Sequence, residues 1–298
     1  MTEIEKFKHF LDGKWYLECT LLSPLSRGFL YGESVYSTLK TVQNSPLFLE
    51  DHLQRLQKGA LFLYPHLELD HIEKKVQELK EGIFFLLSQN KTKRDFSLRL
   101  SFFLDNEGRE IIFQSSLLHS LISLFPYQEE KPKEQYVLWH SSLTKRINNE
   151  WPAYVKCGNY VEWGLELRKA KEEGCDEVLF FTDKKTLADS VVSSIFLVQN
   201  NAILTPKLNS CVLDGVTRKH FIRAMQREGL KVQECDLNLE DVLDSQGVFL
   251  TGSLKGIRSV SGIISGKKEY KKKIDSSFLK EISTSYTNYI NQYVKGLL

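Results

Sequence analysis

Apolar positions in this chain recur at two spacings, and the spacing identifies the element. Around Asp12-Gly13, over residues 9–20, Phe10-Leu11 and Trp15-Tyr-Leu17 form two short apolar arms. That is the local signal for a β-hairpin, because this dipeptide accepts the positive φ of a tight turn. Val35-Tyr36 to Thr41 is β-branched and aromatic and reads as a strand, with Pro46-Leu-Phe-Leu49 as a second short one. Glu50-Asp51 then opens a helix with Leu53, Leu56, Ala60 and Leu61 at helical spacing, its acidic first turn facing the helix dipole. A further helix spans residues 71–87, and strands are expected over 96–103 and 120–125.

Residues 126–134, polar and charged with two prolines, mark the clearest change of composition and read as a linker. They divide an N-terminal domain over residues 1–125 from a C-terminal domain over 135–298. Beyond the linker, Tyr136–His140 and Glu177–Phe181 read as strands, Ser194–Val198 and Ala202–Thr205 as an antiparallel pair, and Gly247–Thr251 and Ile257–Val260 as two more. A helix over 217–228 is stopped by Gly229, and the tail over 276–298 is helical with Phe278, Leu279, Ile282, Tyr286, Ile290 and Tyr293 inward. The basic run over 267–273 reads as a solvated loop. Mixed strands and helices in both halves imply two α/β or α+β domains.

Composition narrows the class. The 298 residues carry 40 Lys+Arg against 38 Asp+Glu, a formal net charge of +2 that gives no reason to expect a nucleic-acid or membrane-surface partner. Five cysteines, scattered and without paired spacing, read as reduced thiols of a cytoplasmic protein rather than a disulfide framework or a zinc site. The polar N-terminus lacks an apolar signal region, and no apolar run is long enough to span a bilayer.

Chemistry concentrates in a few stretches. Lys156 sits at the centre of Trp151–Tyr160, after an aromatic and apolar run and just before a helical pattern. That pattern has Val161, Leu165 and Leu167 on one side and Glu162, Glu166, Arg168 and Lys169 on the other. Desolvation depresses the pKa of such a lysine, and its free amine can attack a carbonyl; the bland alternative is an exposed lysine at a helix start. Leu213-Asp-Gly-Val-Thr-Arg218 places a glycine turn before an amphipathic helix, a start whose free N–H groups suit a phosphate or are simply capped. Thr251-Gly-Ser-Leu-Lys-Gly256 is a second loop of hydroxyls and glycines. Asp189 is the one acid in a small-residue and apolar stretch and needs a cation or a donor. Arg55 lies off the apolar set of its helix. Arg99, inside a strand, needs an anion or must point to water.

Taken in order over residues 25–260, these pieces resemble the fold-type IV pyridoxal-phosphate enzymes, the class IV aminotransferase family that includes branched-chain and D-amino-acid aminotransferases and aminodeoxychorismate lyase. Arg27-Gly-Phe-Leu-Tyr-Gly-Glu-Ser-Val-Tyr-Ser-Thr-Leu-Lys40 looks like the family's entry motif, and Phe48-Leu-Glu-Asp-His-Leu-Gln-Arg-Leu56 like its phosphate-arginine helix. Lys156 with Asn159 resembles the lysine segment, and Asp176–Asp183 with Asp189–Phe196 the ring-nitrogen segment. Thr205-Pro206, Val212–Arg218 and Thr251–Leu254 look like the rest of a phosphate cup.

The resemblance implies a small N-terminal α/β domain, a larger C-terminal domain with a mixed, barrel-like sheet, and a homodimer. It implies pyridoxal 5'-phosphate carried on Lys156, its phosphate held by Arg55, the Val216 and Thr217 backbone and Ser253, and its pyridine nitrogen facing Asp189. Tyr31, Tyr36, Thr38, Lys40 and Arg99 would be candidate pocket residues for the substrate carboxylate. Two departures stand out: Asp189-Ser190 where the family usually has glutamate and glycine, and Ser194 where it has asparagine. The Val212–Arg218 turn, the Ser253-Leu254 pair and the Lys156-to-Asn159 spacing look most like aminodeoxychorismate lyase, which releases pyruvate to leave 4-aminobenzoate. Aminotransferase action and a non-catalytic cofactor-binding relative are the alternatives.

Overall fold

A computed structural model of the chain describes residues 9–16, 22–90, 94–105, 117–127, 135–145, 151–200, 202–209 and 211–296. It divides into two compact units, residues 1–128 with 154–160, and residues 129–153 with 161–298. The expected linker falls mainly on residues outside the described ones.

In the first unit, β1 (His9–Leu11) and β2 (Lys14–Tyr16) form the hairpin that Asp12-Gly13 signals, with φ of 45° and 87° at those two residues. The short α1 (Arg27–Tyr31) leads into β3 (Ser34–Val42), β4 (Ser45–Pro46), α2 (Leu49–Leu63), α3 (Leu69–Gln89), β5 (Phe96–Leu104) and β6 (Leu118–Pro126). The strands join in the order β2-β1-β6-β5-β3-β4, all antiparallel. Leu49, Leu53, Leu56 and Ala60 of α2, and Ile72, Leu79, Ile83 and Leu86 of α3, bury one face of each helix. Each such leucine or isoleucine contributes roughly 1.5–3 kcal/mol on leaving water. The second expected strand is shorter than read: Leu47 to Leu49 leave the sheet because Phe48, at φ 55°, turns the chain into α2.

The hairpin turn is tied down by charge. Asp12 accepts from Lys75 Nζ at 2.9 Å and from the Ser120 N–H at 2.9 Å, and lies 2.5 Å from His119 Nδ1. His119 Nε2 is 3.2 Å from an Asp105 carboxylate oxygen, so the ring stands between two carboxylates.

In the second unit come β7 (Tyr136–Lys145), α4 (Val161–Glu172), β8 (Glu177–Thr182), β9 (Ser194–Gln199), β10 (Ala202–Pro206), α5 (Val216–Arg227), β11 (Val232–Cys235), α6 (Leu239–Asp244), β12 (Gly247–Gly252), β13 (Gly256–Ser265), β14 (Lys268–Lys271) and α7 (Ser276–Val294). The sheet order is β11-β10-β9-β12-β13-β7-β8, with β14 on β13. Parallel pairs at the two ends, β10·β11 on one side and β13·β7 and β7·β8 on the other, flank the antiparallel pairs β10·β9, β9·β12 and β12·β13, a mixed sheet. Leu138, Leu179, Leu197, Val248 and Ile263 are fully buried on it. Phe221 of α5 packs on Phe196 and Phe249, which stack at 5.1 Å, and Tyr286 of α7 covers Phe221.

Two sequence expectations change here. The face of α4 is not the one read: Val161 and Leu165 are exposed, while Glu166 and Ala170 are buried. Tertiary bonding overrides the pattern, since the Glu166 carboxylate is held inside by Ser141 Oγ and by Lys169 Nζ at 2.6 Å. The basic run is not a loop. It forms edge strand β14, and the adjoining Lys272 is buried, donating to the Leu243 and Ser245 carbonyls that end α6.

The Asp12 cluster carries a pH dependence. Burial opposes the charged His119 ring, but the hydrogen bond and charge of Asp12 and the charge of Asp105 outweigh it, raising the pKa above the ordinary 6.5. A cation raised by folding stabilises fully below its unfolded pKa and loses that contribution as pH rises through the folded one. Asp12 works oppositely: burial opposes ionisation, yet bonds from His119, Ser120 and Lys75 hold its carboxyl well below the usual range, so its contribution is lost only in acid. Chemical denaturation should therefore show stability falling as pH rises above about 6.5, with His119→Gln flattening that slope by about 1 kcal/mol or less.

Candidate active site

Within the first unit, the segment around Lys156 docks on the N-terminal half of β3. The Tyr36 N–H donates to the Lys156 carbonyl at 2.9 Å, the Gly158 N–H to the Ser34 carbonyl at 2.7 Å, and Val35 pairs antiparallel with Cys157. This close approach requires glycine, because a Cβ at Gly158 would meet Ser34 Oγ at 2.3 Å and the Gly32 carbonyl at 3.2 Å. Lys156 is thereby held between two aromatic rings. Its Nζ donates to Tyr160 Oη at 2.9 Å and lies 5.0 Å from the Tyr36 ring centre and 5.1 Å from that of Tyr160. The two tyrosines meet edge to face at 5.8 Å. Burial raises the Tyr36 phenol pKa, so it stays protonated at neutral pH.

The arginines are engaged as well. Arg99, facing Thr38 across the β3·β5 ladder, stacks 3.7 Å over the centre of the Tyr36 ring, a cation–π contact. Arg55 is half-buried rather than solvated, and its Nη2 donates to Ser37 Oγ at 2.8 Å, itself 2.8 Å from His52 Nδ1. Lys156, Tyr36 and Arg99 thus form one group. Lys40 turns elsewhere, donating to Tyr127 Oη at 2.8 Å, and Tyr31 lies under the Arg27 guanidinium.

In the second unit, the start of α5, the end of β12 and the start of β9 converge. Gly215 precedes the helix without a side-chain cap, so the first-turn N–H groups are left for another acceptor. Thr217 Oγ1 is 3.2 Å from Ser253 Oγ. Thr251, opposite Ser194 on the β12·β9 ladder, is 1% exposed with a buried hydroxyl that meets no hydrogen-bond partner among the described residues. A set of donors of this kind fits an anionic oxygen.

Asp189 finds the cation that its apolar setting demands. Its Oδ1 pairs with Lys145 Nζ, and its Oδ2 accepts from the Leu213 N–H at 3.2 Å. Lys145 Nζ also stands 4.7 Å over the Trp163 ring and 5.2 Å over Phe180. Sequence reading assigns Lys145 no role, because it ends the strand at His140. A register shift between His140 and Thr144 carries β7 on to Lys145 and re-aims the side chain, as β-bulges do. Tyr160, likewise without an assigned role, gains one only through the fold of the Lys156 segment.

The family model described as "Amino-transferase class IV" matches residues 34–263. The chain belongs to the class IV aminotransferase family. It is 26% identical over 251 residues to an aminodeoxychorismate lyase of Bacillus subtilis, covering 82% of this chain and 83% of that protein. It is also 26% identical to a probable branched-chain-amino-acid aminotransferase of Rickettsia bellii, over 88% and 92% of the two chains. Among solved structures, an aminotransferase of Brucella abortus bound to pyridoxal phosphate superposes with a TM-score of 0.81 at 19% identity, covering 96% and 99%. The protein is a fold-type IV enzyme of mixed α/β architecture, and its family uses pyridoxal phosphate. Among the described residues no helix is long and apolar enough to cross a membrane.

Two substitutions test the local geometry. Gly158→Ala should cost about 1–3 kcal/mol in denaturant unfolding by forcing the Lys156 segment off β3. Lys145→Met should cost about 1–3 kcal/mol, because Asp189 keeps its burial and loses its cation.

Proposed function

We propose that Lys156 is the residue that carries pyridoxal phosphate covalently, and that the enzyme is an aminodeoxychorismate lyase converting 4-amino-4-deoxychorismate to 4-aminobenzoate and pyruvate. The observation that carries the reading is the amine of Lys156, fixed between Tyr36 and Tyr160 on the edge of β3. The bound group supplies an electron sink that weakens the C–H bond next to the substrate nitrogen.

The chain's own residues do the rest. Lys156, once displaced by the substrate amine, takes the proton from that carbon and returns one to the departing enolpyruvyl group. Tyr160 holds the Lys156 Nζ in place while it does so. Arg99, its guanidinium stacked on Tyr36, is the proposed cation for a substrate carboxylate, with Thr38 beside it, and Tyr31 and Lys40 are further candidates for contacts to that carboxylate. The first-turn N–H groups at Val216 and Thr217, the Ser253 hydroxyl and Arg55 are the proposed phosphate ligands. The orphaned Thr251 hydroxyl and the uncapped helix start suit that role. Asp189 is the proposed partner of the pyridine nitrogen. Its carboxylate, paired with Lys145, can accept a hydrogen bond there.

The lyase reading leans on the likeness to the Bacillus subtilis lyase across 82% of the chain. The likeness to the Rickettsia bellii aminotransferase favours transamination as the second reading. We also propose a homodimer in the cytoplasm, the homodimer in keeping with exposed Phe29 and Leu30 within the entry motif.

A coupled assay separates the readings. Pyruvate and 4-aminobenzoate should appear together from aminodeoxychorismate with no keto acid added, and Lys156→Ala should lower the rate roughly 1,000-fold or more. Conversion of the bound cofactor to its pyridoxamine form by an amino acid, without pyruvate release, would establish the aminotransferase instead.

A further inference from the structure

Glu177 is a buried carboxylate outside the set of groups assigned so far. It opens β8, is 1% exposed, and forms no ion pair among the described residues. Such a group is costly to bury unless its oxygens are used. Its Oε1 accepts from the Val178 N–H and from the Val191 N–H, both at 3.1 Å. The second bond reaches 14 residues along the chain, into the turn that carries Asp189.

That turn is closed on itself by Ser190, whose hydroxyl donates to the Ser193 carbonyl and accepts from the Ser193 N–H, each at 2.9 Å. These bonds shape the turn without locating it. Ahead of Asp189, the Ala188 N–H is tied to the Phe180 carbonyl of β8 at 2.9 Å. Beyond Asp189, the tie to β8 is the Val191 amide on Glu177. The Asp189 carboxylate is thus bracketed by two anchors on one strand, and its bonds to Lys145 and the Leu213 N–H depend on where the bracket sits. Leucine would fill the Glu177 site without the burial penalty, so what the carboxylate adds is its hold on the turn.

We infer that Glu177 is a positioning residue: by holding the Val191 amide it sets the Asp189 carboxylate at the reach needed for the pyridine nitrogen of pyridoxal phosphate. This rests on the assignment of Asp189 to that nitrogen. An aspartate is one methylene shorter than glutamate, so its reach depends more heavily on backbone placement.

The test compares Glu177→Leu, Glu177→Gln, Val191→Pro and Asp189→Asn, reading the dissociation constant of pyridoxal phosphate, the visible absorbance of the bound cofactor and its pH dependence, and the thermal midpoint. Glu177→Leu fills the site and should unfold near the parent's midpoint. It should bind the cofactor about tenfold more weakly, shift its absorbance as Asp189→Asn does, and add little to Asp189→Asn, as coupled residues do. Glu177→Gln still accepts the Val191 N–H and should stay within about threefold of the parent. Val191→Pro removes the donor instead of the acceptor and should reproduce the Leu phenotype. Parent-like affinity and absorbance in both the Leu and Pro variants, or effects that add fully to Asp189→Asn, would overturn the inference while leaving cofactor binding intact. A parent protein that itself stays colourless with pyridoxal phosphate would overturn the cofactor reading and this inference together.

Discussion

The site depends on a short piece of antiparallel pairing between chain segments more than a hundred residues apart. Residues 154–160 lie along β3 through the Tyr36–Lys156 and Gly158–Ser34 backbone bonds, and Gly158 lets the two backbones approach. Without that pairing Lys156 would be one surface lysine among many. With it, the Lys156 Nζ is confined between two tyrosine rings, beside an arginine that is itself stacked on one of them. Backbone hydrogen bonds, rather than side-chain packing, fix the segment that carries this amine.

A second constraint acts in the other unit and has the same character. Asp189 is a partly buried carboxylate in an apolar setting, which needs compensation from a partner. Here Lys145 supplies it, delivered by the irregularity in β7 and pressed against Trp163 and Phe180. The Ser141 hydroxyl, held by Glu166 and accepting from the Leu143 N–H at 2.9 Å, secures that irregularity. The glutamate that defeats the amphipathic reading of α4 therefore has a purpose in the preceding strand, β7.

Much of the fold was legible because its signals are local. The Asp12-Gly13 hairpin, the acidic start of α2, the end of α5 at Gly229 and the inward face of α7 follow from residues within one or two turns of each other. What escaped is what depends on distant partners: the continuation of β7 to Lys145, the burial of Glu166, the edge strand made from a run of lysines, and Lys272 turned inward to cap α6. For the site, the order of motifs pointed to Lys156, Arg55, Asp189 and the α5 start. The residues that hold them, Tyr160, Ser37, Lys145 and Glu177, carry no short-range signature and were visible only in the fold.

The central claim is that one amine, that of Lys156, bears the cofactor. Borohydride reduction of the protein with pyridoxal phosphate, followed by peptide mapping, tests it directly. The expected result is a single phosphopyridoxyl label on Lys156, within the peptide spanning Trp151 to Tyr160. Label on another lysine, or spread over surface lysines with Lys156 unmodified, would contradict it.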